Sequence, residues 1–417
     1  MIKVRELSCG ARLIMEKIPY VQSVSIGIWA KAGAINEDPE ISGISHFIEH
    51  MSFKGTNRRN SKQIAEDADR IAGQINAFTG KEATCYYMKT LSSNFEKGAD
   101  ILLDMFLESQ FDQTEMDRER MVIFEEMKMI EDSPEDDIHD LIAELAFAGK
   151  NLSKSIIGTQ DSLNNIDRGR ILTYREREYT TDSIVVSVAG NFDEDEVFTM
   201  FDGKFEQFGK TKVLPSDDES IIYKPSFLSK VKDIEQSHVC LSVPGIARSD
   251  DRFNACSIVN NVMGGSMSSR FFQNIREEKG LAYSVYSMNS TFTNEGYYCI
   301  YAGVSHDKIE SCIGGIKEEL DILKNKGISA EEIAIAKEQI KGSYIYSMEN
   351  TNSRMFGIGR NLLLDNLVYE TEEVIEEMNK VTVEDVREAA SLITDINNYC
   401  GAVISNKEIP IEEYIRK

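Results

Sequence analysis

The 417-residue sequence has few histidines and an excess of negative charge. The shortage of positive charge argues against binding to nucleic acid. The sequence has only five histidines, and 46 Lys and Arg stand against 70 Asp and Glu, which gives a net charge of −24. Without a basic stripe, nucleic acid is not expected as a partner. No apolar run approaches the roughly 18 residues that a membrane-spanning helix needs, so no membrane partner is expected either.

Paired cysteines and targeting segments are also missing. The seven cysteines are scattered and odd in number, and none belongs to a C-x-x-C pair. Thiols of this kind are typical of a reducing compartment, where they mostly fill cores. The N-terminus has neither the apolar stretch of a signal peptide nor the Arg- and Ser-rich character of a transit peptide. Together these features predict a cytoplasmic protein.

The chain does have enough length and hydrophobicity for more than one core. Hydrophobic residues make up 41% of it, and its length favours two or three domains. A breaker-rich stretch over 206–226 predicts a linker between one domain at 1–213 and another at 222–417. In each half strands precede helices, which predicts α+β domains in which a mostly antiparallel sheet packs with helices. In the first half we expect helices over 93–108, 114–132 and 136–148, and a buried strand over 184–190.

The two halves repeat with one offset of 214 residues. Three short matches share it: Gln22-Ser23 with Gln236-Ser237, Phe78-Thr79 with Phe292-Thr293, and Tyr87 with Tyr301. Each match is weak alone. A common offset, with the same order of strands and helices, predicts a duplicated domain.

Two of the histidines stand four residues apart in the segment 46–50 (HFIEH). On a helix, His46, Glu49 and His50 fall within about 100° of arc, and the apolar residues at 44, 47, 48 and 51 fill the opposite face. Two imidazoles at this spacing can bind one Zn²⁺, and a neighbouring carboxylate that is not a ligand can accept a proton from water. The order reverses H-E-x-x-H and is the inverzincin motif. We favour this metal site over the alternative of two histidines on a solvated helix face.

The second half of the repeat lacks the metal-binding residues of the motif. With the offset of 214, the three motif positions fall on Asn260, Met263 and Gly264. The second half therefore cannot build the same site, and we predict one zinc per chain, bound by the first half.

A catalytic zinc usually has three protein ligands and one open position, so a third ligand must be found. His139, His238 and His306 are candidates, but each stands alone in the sequence. In the predicted helix over 114–132, apolar residues at 122, 123, 129 and 130 surround Glu126 and place it in the middle of a stripe expected to be buried. A buried carboxylate needs a cation or strong hydrogen bonds, which zinc would supply. The alternative is an ordinary ion pair with a neighbouring Lys or Arg.

Two other glutamates of this helix have different expected roles. Glu125 lies about 100° round the helix from Glu126 and is expected to be solvated. Glu119 lies on the same face as Glu126, about 10 Å along the axis. That is too far to bind the same ion, but Glu119 can orient one of its ligands.

These motifs resemble those of the pitrilysin/insulinase metallopeptidases, most closely the short-subunit branch that includes the mitochondrial processing peptidase and its bacterial relatives. The resemblance covers nearly the whole chain. It is carried by 46–56 (HFIEHMSFKGT), 76–79 (NAFT), 119–126 (ERMVIFEE) and 269–284 (SRFFQNIREEKGLAYS).

The resemblance implies a zinc-dependent endopeptidase whose two domains form half of a clamshell chamber for extended or unfolded peptides. His46, His50 and Glu126 would bind zinc, Glu49 would act as general base, and Glu119 would lie near the site. The substrate would pair with the strand edge at Asn76, Ala77 and Phe78. Arg276 and Tyr283 match a pair that reaches the active site from a C-terminal domain.

The long members of the family carry four such domains and this chain has two, so the resemblance implies a homodimer with active sites shared between chains. A heterodimer with an inactive paralogue stays open. Two other functions also stay open: a catalytically inert scaffold or partner subunit of the same fold, and a zinc hydrolase acting on non-peptide amides.

Overall fold

The computed structural model describes residues 2–210 and 222–417, so the middle of the predicted linker lies outside the described residues. The strands are β1 (Ile2–Glu6), β2 (Arg12–Lys17), β3 (Ser23–Ala30), β4 (Gln74–Thr79), β5 (Thr84–Leu91), β6 (Ile184–Gly190), β7 (Phe227–Val231), β8 (Ser237–Pro244), β9 (Ser284–Thr291), β10 (Gly296–Val304) and β11 (Cys400–Ser405).

The α-helices are α1 (Ile44–Ser52), α2 (Ser61–Arg70), α3 (Phe95–Glu108), α4 (Gln113–Asp132), α5 (Pro134–Ala146), α6 (Gln160–Asn164), α7 (Arg168–Glu178), α8 (Glu194–Phe201), α9 (Phe253–Met263), α10 (Ile309–Lys326), α11 (Ala330–Ser347), α12 (Thr351–Asp365), α13 (Thr371–Lys380), α14 (Val383–Ser391) and α15 (Ile411–Arg416). A π-helix spans Phe271–Glu278. The helices expected over 93–108, 114–132 and 136–148 correspond to α3, α4 and α5, and the strand expected over 184–190 is β6. None of the described helices combines the length and the apolar character of a membrane-spanning segment.

Each of the two compact units is built on one mostly antiparallel sheet, as predicted for an α+β fold. The first sheet has the order β1-β2-β6-β3-β5-β4, and the second has the order β7-β11-β8-β10-β9. Within them, only the pairs β2–β6 and β7–β11 run parallel. Strand β4 is therefore an edge of the first sheet.

The two compact units do not follow the predicted boundaries along the sequence. Each unit includes one segment from the other half of the chain. The first unit takes in Met1–Lys128, Lys154–Asp217 and Tyr346–Glu370, of which Met1 and 211–217 lie outside the described residues. The second unit takes in Met129–Ser153, Asp218–Ile345 and Thr371–Lys417, where 218–221 are likewise outside the described residues. Helix α5 thus packs on β8 and β11 of the second unit, whereas α12 packs on β3 and β6 of the first.

The exchanged helices are equivalents in the repeat. Adding 214 to the bounds of α5, Pro134–Ala146, gives 348–360, which overlaps α12, Thr351–Asp365. Both helices cover the sheet face that the other helices of their unit leave open. The sequence pattern shows that such a helix buries one face, but it does not show which of two similar sheets receives it.

The strand register refines the repeat at one position. Gly27 pairs with Tyr87 across the first sheet, and Cys240 pairs with Tyr301 across the second. If Tyr87 and Tyr301 are equivalent, Gly27 corresponds to Cys240, so the offset at β8 is 240 − 27 = 213. On that equivalence Gln22-Ser23 corresponds to Glu235-Gln236 and not to Gln236-Ser237, because a slip of one residue would turn the side chains of β8 to the other face of the sheet.

Candidate active site

Helix α1 carries the motif, and its phase is the predicted one. Ile44, Phe47, Ile48 and Met51 are all buried in the core of the first unit. This packing leaves the two histidines and Glu49 on the opposite face. Glu49 is itself largely covered, at 9% exposure.

The start of α1 is fixed by a buried carboxylate that the sequence analysis did not single out. The two oxygens of Glu37 accept hydrogen bonds from the backbone N–H groups of Gly43 (2.6 Å) and Ser45 (2.9 Å). Burial raises the pKa of Glu37 to about 7, although these hydrogen bonds oppose the shift. Gly43 has φ +90°, and a Cβ there would lie 2.5 Å from the carbonyl oxygen of Ile157. Both features hold the first turn of α1, and thus the motif, in one place.

The structure brings His46, His50 and Glu126 together within the first unit. Oε2 of Glu126 lies 3.8 Å from Nε2 of His46 and 3.5 Å from Nε2 of His50, and the three ligand atoms all lie within 4.8 Å of one another. Two ligands bound to one tetrahedral Zn²⁺ at about 2.0–2.1 Å would lie roughly 3.3 Å apart. The spacing and the chemistry of this donor set, two nitrogens and one carboxylate oxygen, therefore fit zinc.

The protonation states also suit a metal site. Burial, together with the neighbouring His50, lowers the pKa of His46 to about 4. The ring of His46 is therefore neutral at neutral pH, as a ligand must be.

Glu119 connects α4 to the motif through contacts with His50 and Lys54. Its Oε1 lies 2.9 Å from Nδ1 of His50, and its Oε2 lies 2.6 Å from Nζ of Lys54. Burial raises the pKa of Glu119, but the hydrogen bonds from His50 and Lys54 outweigh it and keep the pKa below its ordinary value. An ionised Glu119 can only accept, so Nδ1 of His50 donates. The lone pair of His50 then lies on Nε2, the atom that faces Glu126.

Glu49 is held from a neighbouring strand. Oγ1 of Thr79, at the end of β4, donates to Oε2 of Glu49 at 2.6 Å. Burial raises the pKa of Glu49, and the hydrogen bond from Thr79 opposes that shift. Thr79 was not predicted as a site residue, although it ends the segment NAFT that carries part of the resemblance. The contact leaves Oε1 of Glu49 for other partners.

The surroundings of Glu126 are more exposed than predicted. Val122 and Met129 are 50% and 72% exposed, and the side chain of Glu126 is 38% exposed. The residues of α4 that are buried are Met116, Glu119, Ile123 and Met127. Glu126 thus lies at the edge of the buried stripe and not in its middle, because the stripe is centred near Ile123 and extends toward Met127. The expectation for Glu125 fits the structure: its side chain is 64% exposed and pairs with Lys128 at 2.7 Å.

The expected substrate-binding segment lies on β4, the edge strand. Asn76 and Phe78 are exposed and Ala77 is nearly buried. The backbone N–H of Ala77 donates a hydrogen bond to the side-chain oxygen of Asn76 at 2.8 Å. The ring of Phe78 packs against Trp29, with centroids 5.7 Å apart. The carboxamide of Asn76 therefore occupies a donor that a paired strand would otherwise use.

Arg276 and Tyr283 belong to the second unit, so the geometry of the first unit does not include them. The guanidinium of Arg276 lies over the ring of Phe272 at 4.6 Å. Tyr283 is 73% exposed, and its backbone N–H donates to the carbonyl of Gly303 at 2.8 Å.

The three other histidines also lie in the second unit, where each has a hydrogen-bond partner. His139 bonds Tyr286 through Nε2, His238 bonds Tyr301 through Nδ1, and His306 bonds Ser237 through Nδ1. Within the described residues, the third donor that joins the two motif histidines is the carboxylate of Glu126.

Both halves of the chain match models of one protein family. Residues 12–160 match the family model for insulinase (peptidase family M16), and residues 165–340 match the model described as the peptidase M16 inactive domain. An uncharacterized zinc protease of Bacillus subtilis is 42% identical to this chain, over 97% of this chain and 98% of its own length.

Solved structures share the fold. A protease from Helicobacter pylori superposes with a TM-score of 0.89 at 20% identity, covering 97% of this chain and 99% of that one. A chain of Complex III2 from Candida albicans superposes with a TM-score of 0.85 at 17% identity, covering 99% of each. At these identities the likeness concerns the fold alone.

Proposed function

The chain belongs to the insulinase family of peptidases (peptidase family M16), and from this premise we propose that it is a zinc-dependent endopeptidase acting on extended or unfolded peptides. The observation that carries the proposal is the convergence of His46, His50 and Glu126, with Glu49 beside them and outside the ligand set. The relative from Bacillus subtilis, named a zinc protease, supports the choice of metal.

His46, His50 and Glu126 would bind the zinc ion. When bound, zinc supplies a Lewis acid that activates water and polarises the scissile carbonyl. Glu119 orients His50 so that the lone pair of Nε2 faces the site, and Lys54 holds Glu119 ionised.

Glu49 acts as the general base. Thr79 occupies its Oε2, so Oε1 accepts the proton of the attacking water and then passes it to the leaving amine. The raised pKa of this buried carboxyl suits both steps, because a proton taken up must be held until the amine leaves.

The substrate would add a strand to the free edge of β4, a mode in which backbone hydrogen bonds give affinity with little demand on sequence. A substrate carbonyl would replace the side chain of Asn76 at the N–H of Ala77. Phe78, which keeps an exposed part of its ring, would contact a substrate side chain.

The second domain would complete the active site in a homodimer. Following the resemblance, Arg276 and Tyr283 of one chain would donate to the developing oxyanion at the zinc of the partner, a contribution of about 3–4 kcal/mol for a well-placed donor. Hydrolysis would take place inside a closed chamber that admits unfolded peptides. We propose that the evolutionary repeat divides the chain into a zinc-binding domain over 1–213 and a homologous domain over 222–417 that lacks the catalytic zinc motif. We also propose a cytoplasmic location, which suits seven free thiols.

An inert scaffold or partner subunit is the alternative, since the fold also occurs in Complex III2 of Candida albicans. The intact donor set and the base of this chain favour the enzyme.

A panel of fluorescence-quenched peptides, assayed with and without a chelator, separates these functions. The proposal expects cleavage that chelation abolishes and zinc restores. Stoichiometric zinc without cleavage of any peptide would favour the non-peptide amide hydrolase, and absence of zinc and of cleavage would favour the scaffold.

A further inference from the structure

The second unit holds a cluster of soft metal-binding side chains that the peptidase chemistry does not use. His139 on α5, Cys240 on β8 and Cys299 on β10 each offer one ligand atom, and these atoms all lie within 4.8 Å of one another. Both cysteines are fully buried, and their sulfur atoms are 2.9 Å apart. We propose that this cluster is a second metal site, for a thiophilic cation of the Zn²⁺ or Cu⁺ class, that fastens α5 to the sheet of the second unit.

The hydrogen bonds of His139 leave one of its nitrogens ready to bind a cation. Its Nε2 lies 2.7 Å from the hydroxyl of Tyr286, and that hydroxyl donates to Oε1 of Glu135 at 2.9 Å. Because the hydroxyl has a single proton, it accepts from Nε2–H of His139, and the lone pair of the neutral ring then lies on Nδ1. Nδ1 is buried, and its lone pair faces the thiol of Cys299. Histidines that bind metals usually have their other ring nitrogen fixed by a hydrogen bond, and for His139 the hydroxyl of Tyr286, itself bonded to Glu135, fills this role.

The strand register disfavours a disulfide between the two cysteines. Cys240 pairs with Tyr301, and Cys299 pairs with Ser242, so the cysteines are diagonal neighbours on one face of the sheet. Diagonal Cα atoms are about 7–8 Å apart, whereas a disulfide needs about 4.4–6.8 Å. The hydroxyl of Ser242, directly across from Cys299, is buried and has no hydrogen-bond partner in the described part of the chain.

The ligand chemistry sets the class of cation. Two thiolates and an imidazole select Zn²⁺ or Cu⁺ over hard cations. Thiolates bound to one tetrahedral zinc at about 2.3 Å lie roughly 3.8 Å apart, so the sulfur atoms would separate by about 1 Å on binding, and the two thiol protons would leave. This site would add to the single zinc predicted for the first unit, since the repeat argument concerned only the catalytic motif.

The location gives the site a structural role. Helix α5 comes from the first half of the sequence but packs in the second unit, and the cysteines lie on adjacent strands beneath it. A cation bound by all three residues would cross-link the helix to both strands.

The test uses Co²⁺ as a zinc probe, because cobalt bound to thiolate gives a charge-transfer absorption that the sulfur-free donor set of the first unit cannot give. Metal-free full-length protein is titrated with Co²⁺ alone. In parallel, Cu⁺ is offered under reducing conditions against a chromophoric Cu⁺ chelator. The variants are Cys240→Ser, Cys299→Ser and His139→Asn, with Cys256→Ser, another buried thiol of the same unit, as the matched control.

The proposal expects either a thiolate–cobalt band or retention of Cu⁺, at one equivalent per chain, and the probe that succeeds identifies the metal. The signal is lost in both single serine variants, its affinity falls at least about 10-fold in His139→Asn, and Cys256→Ser is unchanged. The same metal raises the melting temperature of the wild type by more than that of the serine variants, in which only the donor set of the first unit can bind it. A wild type that shows neither signal, a signal that survives both serine substitutions, or purified protein with Cys240 and Cys299 joined as a disulfide would overturn it.

Discussion

At the residue scale, the candidate donor set is positioned by side chains that do not belong to it. Glu119 fixes the ring of His50, and Lys54 in turn holds Glu119. Thr79 fixes one oxygen of Glu49. These partners come from three elements, α4, the turn after α1, and β4. The geometry of the donor set is therefore a property of the folded first unit and not of the motif alone.

The two adjacent glutamates of α4 offer a matched pair of substitutions. Glu126→Gln is expected to lower zinc affinity by more than about 100-fold, since replacing a ligand should cost more than replacing an orienting partner. Glu125→Gln should leave affinity unchanged, because Glu125 is solvated and pairs only with Lys128. Zinc content of the purified variants after dialysis against a weak chelator checks this. Loss of zinc in the Glu125 variant alone would mean that the other glutamate is the ligand.

At the element scale, the first turn of α1 depends on Glu37. Its pKa is raised to about 7 in the folded protein, above the value near 4.3 of an unfolded chain. The folded state therefore binds the proton more tightly, and the stability that this provides is present at low pH and lost as the pH rises through 7.

Glu37→Gln removes this titration. The variant should be less stable than the wild type at pH 5, and the difference should shrink by roughly 2–3 kcal/mol at pH 8. Urea unfolding of metal-free wild type and variant at both pH values measures the difference in the free energy of unfolding. The titration of His46 contributes equally to both proteins and therefore cancels. A difference that is the same at pH 5 and pH 8 would show that Glu37 does not titrate in this range.

Helix α12 offers a second test, through two glycines that differ only in what they face. A Cβ at Gly359 would lie 2.3 Å from Nε1 of Trp29 and 2.7 Å from Oγ of Ser187, whereas a Cβ at Gly357 would meet nothing within 4 Å. Nε1 of Trp29 also donates to Oγ of Ser187 at 2.9 Å, so both partners are constrained.

Gly359→Ala should therefore destabilise the protein by about 1–3 kcal/mol through overpacking. Gly357→Ala should stabilise it by up to about 1 kcal/mol, because alanine favours a helix. Thermal unfolding of the two variants measures the contrast. Equal effects would mean that α12 does not pack on the first sheet in solution.

Particular elements show what the sequence can and cannot predict. The burial of α1 was predictable because its apolar residues recur with the period of a helix. That of β6 was predictable because, apart from Ser187, the strand is apolar. The phase of α4 was not, since Val122 and Met129 are apolar but exposed. The exchange of α5 and α12 was not predictable either, because two homologous sheets offer either helix a similar apolar face. Glu37 and Thr79 were missed because single polar residues in loops and strand ends carry no periodic signal.

At the scale of the whole molecule, the proposal requires two chains for one active site. The first unit supplies the donor set and the base, whereas Arg276 and Tyr283 lie in the second unit. An obligate two-fold dimer would contain two equivalent sites and bury an interface of at least about 2,000 Å².

Complementation tests this assembly. Glu49→Gln and Tyr283→Phe should each be nearly inactive alone. Co-expressed, they should form mixed dimers in which one site carries both lesions and the other is intact, so activity returns. If each chain is self-contained, every site carries one lesion and activity stays low. Sedimentation at assay concentration provides the control: a fully active monomer would exclude the shared site.

The most direct test of the central claim is the turnover of zinc-loaded Glu49→Gln on a peptide that the wild type cleaves, with Glu125→Gln as the matched control. We expect a folded variant with the zinc content of the wild type and a kcat/KM lower by roughly 10²–10⁴-fold, the loss expected when a general base is removed. Near wild-type turnover with zinc bound would contradict the assignment of Glu49 as the base, and with it the proposed mechanism of this site.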